Sequence, residues 1–79
     1  MINLLRRPEV LKRYGRARST LALDIANGLF ITPVAIGARC VAWPSFEVEE
    51  IIKARIAGKT DDEIRSLVQA LLKARKSAG

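Results

Sequence analysis

Stop signals divide residues 1–58 into short pieces, and no other feature of the sequence constrains the fold as much. Tyr14-Gly15 ends one segment, Asn27-Gly28 a second, Pro33 and Pro44 bound a third, and Gly58 closes a fourth. Glycine tolerates a left-handed backbone and proline lacks an amide hydrogen, so neither sits inside a long helix or a central strand without cost. Only short elements fit between these points. With 79 residues in all, the chain can bury one core and not two.

Pro8 suits the first turn of a helix, where its missing N–H has no intrahelical partner, and Val10 and Leu11 begin an apolar face; this predicts a helix over 8–14. Ser19 is a good N-cap for a second helix over 20–27, with Leu21, Ile25 and Leu29 facing the core and Thr20, Leu23, Asp24 and Asn27 facing outward. Val34, Ile36, Val41 and Trp43 alternate with smaller or polar residues around Gly37-Ala38-Arg39, the pattern of a short hairpin with an arginine at its tip. Pro44-Ser45 opens a third helix, with Ser45 as its cap, Glu47 in its first turn, and Phe46, Val48, Ile51, Ile52 and Ile56 as its apolar side.

Thr60-Asp61-Asp62-Glu63 is a capping box. Ile64, Leu67, Val68, Leu71 and Leu72 follow at helical spacing, giving a fourth helix over 61–76 that ends in Lys73, Arg75 and Lys76. The expected fold is mainly α with a small β-hairpin: a winged helix-turn-helix over 1–58, followed by an extra C-terminal amphipathic helix within 59–79. That last helix is expected either to pack on the domain or to serve assembly.

Charge is distributed unevenly over this plan. Up to Trp43 there are seven Lys and Arg against Glu9 and Asp24, a balance of +5; from Pro44 onward there are seven against six carboxylates, or +1. A solvated helix face normally interleaves both signs, so a half of one sign points to a polyanionic partner, most simply nucleic acid phosphate. The chain has no histidine and only one cysteine, Cys40. It therefore lacks the usual acid–base group of neutral pH, a disulfide pair and a zinc cage. No catalytic, metal-binding or cofactor-binding residues are expected, and the protein is not expected to be an enzyme. Gly58-Lys59-Thr60 echoes a phosphate-binding loop, but position 53 is lysine where that motif needs glycine, and a helix precedes it where a strand is required. The longest nearly apolar stretch, 29–38, is half a membrane span, so a cytoplasmic chain is expected.

In ordered combination these residues resemble the AlpA-type phage and prophage regulators. The run Leu5-Arg6-Arg7-Pro8-Glu9-Val10-Leu11 resembles that family's opening, and Arg18-Ser19-Thr20-Leu21 with Asn27-Gly28-Leu29-Phe30 its recognition helix and exit. Pro33-Val34, Ile36-Gly37-Ala38-Arg39 and Val41-Ala42-Trp43 are similar to its wing, so the likeness covers residues 4–57. It implies a MerR-like winged fold and a small DNA-binding transcriptional regulator related to excisionases, bacterial and nucleoid-associated. The chain departs from the family pattern at Ala22, Leu23, Ala26 and Leu29, where aromatic or basic residues are common.

A helix fits the major groove and a flanking hairpin reaches phosphates beside it. The expected partner is double-stranded DNA, bound by helix 20–27 and the 34–43 wing. Candidate DNA-contacting residues are Arg6, Arg7, Arg16, Arg18, Ser19, Thr20, Leu23, Asn27 and Arg39. Asp24 is expected to hold Arg39 or another arginine, Trp43 to anchor the core, and Ser19 and Asn27 to serve local capping and turn roles as well. One module covers little DNA, so a homodimer or cooperative copies on adjacent sites are expected. Two other readings are an architectural factor that bends DNA beside an integrase and a basic protein-interaction adaptor.

Overall fold

A computed structural model describes residues 3–78. The elements are β1 (Leu4–Leu5), α1 (Arg7–Tyr14), α2 (Arg18–Ala26), β2 (Val34–Ala35), β3 (Val41–Pro44), α3 (Ser45–Ile56) and α4 (Asp61–Ala78). The fold is mostly helical with a small antiparallel sheet, a winged-helix arrangement followed by a C-terminal helix. β3 is the central strand: Trp43 and Pro44 pair with Leu5 and Leu4 on one side, and Val41 and Ala42 pair with Ala35 and Val34 on the other. The hairpin closes where the Ile36 amide donates to the Cys40 carbonyl at 2.9 Å, leaving Gly37, Ala38 and Arg39 as its tip.

β1 is an element that the sequence did not announce. Two residues give no alternation to read, and the strand exists because its partner β3 lies some forty residues away. Trp43 then fills the centre of the core, fully buried, and its indole Nε1 donates to the Ile31 carbonyl at 2.9 Å, as a buried indole requires. Leu5, Val10, Leu21, Phe30, Ile31, Val48, Ile51, Ile64 and Val68 complete the same cluster.

Three local expectations are corrected. α2 begins at Arg18, two residues early, with Ala17 as its extended N-cap and the Ala17 carbonyl accepting from the Leu21 amide; Ser19 lies inside the helix and makes no cap bond. Asp24 does not face outward, because it is only 6% exposed. Leu21, Ile25 and Leu29 face the core as expected, with Ile25 and Leu29 half-buried against it, and Asp24 joins Leu21 as the second fully inward residue of the helix. α3 likewise starts at Ser45 with Pro44 as N-cap and no side-chain cap. Its inner face holds Glu47, Val48 and Ile51, whereas Phe46 is 45% and Ile56 82% exposed. An inward carboxylate inside an apolar run defeats simple periodicity.

The physical reason is pairing. Tyr14 donates its hydroxyl to Asp24 Oδ2 at 2.8 Å, and Arg16 Nη1 reaches the same oxygen at 3.2 Å. The Tyr14 ring packs on Phe30 with centroids 4.7 Å apart. This triad locks the turn between α1 and α2, where Gly15 supplies the left-handed residue (φ 75°). Glu47, 1% exposed, accepts from Arg75 Nε at 3.0 Å and from Arg75 Nη2, which also donates to the Thr32 carbonyl at 2.9 Å. α4 opens with the reciprocal box: Thr60 N to Glu63 Oε1 at 2.9 Å and Glu63 N to Thr60 Oγ1 at 3.2 Å. The Thr60 amide, and next its hydroxyl, hold the Glu63 carboxyl below its ordinary pKa.

Two predictions follow from the pairs. Arg75→Ala leaves a buried carboxylate without its counter-charge and is expected to cost about 3–5 kcal/mol, read as a lowered midpoint in urea unfolding; Glu47→Gln should cost less. Burial, then the Asp24 hydrogen bond, raises the Tyr14 pKa above its ordinary 10.0. Stability from this group is therefore complete below the unfolded-state value and falls as pH rises through the folded one. Near-ultraviolet titration of the single tyrosine should show late ionisation in the folded protein, shifted back toward the ordinary value in Asp24→Ala.

Candidate nucleic-acid interface

Ion pairing sorts the cations into two groups. Each of the eight Asp and Glu side chains lies within 4.0 Å of a Lys or Arg nitrogen, and together they engage Arg13, Arg16, Lys53, Arg55, Lys59, Arg65 and Arg75. Among the described residues, Arg6, Arg7, Lys12, Arg18, Arg39, Lys73 and Lys76 have no such partner. Five of these seven precede Trp43. The unpaired positive charge is therefore concentrated in the first half of the chain.

The candidate residues separate on the same basis. Arg6 and Arg18 are exposed at the starts of α1 and α2, and Arg39 is exposed in the hairpin tip. Arg7 is half-buried, its guanidinium carbon 5.5 Å from the Trp43 ring centroid. Aromatic stacking positions that charge without neutralising it. Arg16 differs from the rest. It is held by Asp24 and lies over the Tyr14 ring at 5.8 Å, so the Asp24 partner is Arg16 and not Arg39.

On α2, Ser19, Ala22, Leu23, Ala26 and Asn27 are exposed and Thr20 is half-buried. Leu23 is a large apolar side chain at 62% exposure. Apart from Arg18 at its first position, this outer face carries no charge, and its side chains are short. Asn27 contributes mainly through its backbone: its amide donates to the Leu23 carbonyl and its carbonyl accepts from Arg65 Nε, both at 2.9 Å. Gly28 follows at φ 75° and turns the chain out of the helix.

Sequence reasoning missed the part α4 plays here. Arg65 holds the Asn27 carbonyl and Arg75 the Thr32 carbonyl, so two cations of one helix bracket the segment joining α2 to β2. Twelve residues after Glu63 no local pattern distinguishes Arg75 from an ordinary helix-end cation. Among the described residues no group of His, Cys, Asp and Glu could hold a metal ion, and no helix is long and apolar enough to cross a membrane.

No solved structure matches the chain. It is 42% identical over 55 residues to protein ORF88 of Enterobacteria phage P4, covering 70% of this chain and 62% of that protein. The chain thus spans less than two thirds of the length of this curated relative. The family described as prophage CP4-57 regulatory protein (AlpA) matches residues 3–56, from β1 to the end of α3. With the whole helix-turn-helix, hairpin and third helix inside that match, the chain belongs to the AlpA family of phage regulatory proteins.

Proposed function

We propose that this protein is a DNA-binding transcriptional regulator of phage type, which places α2 in the major groove of double-stranded DNA and uses the 34–43 hairpin as a wing. The observation that carries this reading is the segregation of ion pairs. Every carboxylate is matched, while Arg6, Arg7, Lys12, Arg18 and Arg39 remain unmatched in the family-matching part of the chain. Unpaired guanidiniums at the starts of two helices and at a hairpin tip suit a backbone of closely spaced phosphates. The short, uncharged outer face of α2 allows close approach to a groove but offers few base-reading hydrogen bonds. Phosphate contacts therefore supply most of the affinity, and base recognition less.

Arg16 serves the interface by positioning. Its bond to Asp24 fixes the turn that aims α2, and so it belongs to the scaffold more than to the contact set.

The expected result is duplex binding that weakens steeply with salt. Fluorescence anisotropy on a random-sequence duplex should give a linear fall of log affinity with log salt. Arg6, Arg18 and Arg39 changed together to alanine should reduce that slope by roughly 2.7, since each phosphate contact contributes about 0.9. Arg16→Ala should lower thermal stability more than it lowers the slope. A wild-type protein that ignores duplex DNA at low salt would overturn the reading.

A further inference from the structure

A pit of about 370 Å³ opens where α1, α2 and the approach to β2 meet. Its floor and walls are Leu21, Ala22, Ile25 and Pro33, and its two charged lining residues are Arg7 and Arg18. Neither arginine has a carboxylate within 4.0 Å among the described residues. Arg7 is held in place by the Trp43 ring, and Arg18 is the first residue of a helix whose N-cap, Ala17, offers no side-chain acceptor. Two like charges line one apolar cavity, beside helix amides that no side chain caps. An anion bound there would meet both charges and the uncapped helix amides.

The floor narrows the identity of the anion. A free inorganic phosphate would satisfy the guanidiniums and leave Ala22, Ile25 and Pro33 against water. A phosphodiester brings deoxyribose carbons attached to the charge, and these fit an apolar floor while the phosphate oxygens face the rim. We infer that the Arg7–Arg18 pit is a clamp for a single backbone phosphodiester of double-stranded DNA, with Ala22 kept small so that the sugar can enter. This rests on the DNA-binding reading above and adds to it one shared phosphate between two elements, which sets how α1 and α2 sit together on the strand.

One shared phosphate has a distinctive signature. With a random-sequence duplex, Arg7→Ala and Arg18→Ala should each weaken binding, yet the double variant should lower the salt slope by only roughly 0.9, the value for one contact. Ala22→Leu, which fills the pit but keeps both arginines, should weaken binding at least fivefold and lower the slope by a similar amount. Ala22 is exposed on a helix, so this variant should melt like the wild type, and circular dichroism checks that. A drop of roughly 1.8 in the double variant would mean two separate phosphates and would overturn the clamp. So would wild-type binding by Ala22→Leu, or an acidic decapeptide whose binding depends on Arg7 and Arg18 while duplex binding does not. Failure of the wild type to bind duplex at all would overturn the DNA reading itself, a result distinct from these.

Discussion

The buried ion pair between Glu47 and Arg75 ties together most of what the fold positions. Glu47 sits in the first turn of α3, immediately after the central strand, and is nearly inaccessible to water. A carboxylate in that place is tolerable only when its charge and lone pairs are met. Arg75 meets them through two nitrogens and spends its remaining reach on the Thr32 carbonyl, just ahead of the wing. One guanidinium therefore joins α4, α3 and the root of the hairpin. Together with Arg65 on the Asn27 carbonyl, it makes the C-terminal helix a brace for the segment between α2 and β2.

That brace lies beyond the part of the chain that carries the family pattern, residues 3–56. α4 nevertheless contributes Ile64 and Val68 to the same core as Trp43 and Leu21. Its polar contacts fall on the backbone carbonyls of Asn27 and Thr32 and on the Glu47 carboxylate, a residue within the family-matching part of the chain. The result is a small regulatory domain whose α2-to-wing connection is fixed from outside its shared portion.

The electrostatic design follows from a simple allocation. Structural needs consume every carboxylate: Asp24 for the α1–α2 turn, Glu47 for the brace, Glu63 for the α4 cap, and the others for surface pairs. Such surface pairs contribute little stability individually. Their larger consequence is what they leave over, a set of arginines in the first half with no carboxylate within 4.0 Å among the described residues. Tyr14 illustrates the same economy, since its hydroxyl and Arg16 share one oxygen of Asp24.

The four helices, the hairpin and its arginine tip were legible in the sequence because each depends on short-range rules. Gly15, Gly28 and Gly58 adopt positive φ at the predicted stops, and the Thr60–Glu63 box forms as written. The charge imbalance was also visible, as was the family likeness. What sequence alone could not determine was which charges remain unpaired. Asp24 read as an outward residue and Glu47 as a first-turn acid, and their burial depends on partners 10 and 28 positions away. β1 depends on a strand at the far side of two helices, and the pit joins Arg7 to Arg18 and Pro33 across three elements. The sequence determined the elements and the sign of the surplus charge, because turns, caps and composition are local. Only the tertiary structure decided which arginines hold the fold and which stay unpaired for a partner, because pairing depends on distances that chain order does not contain.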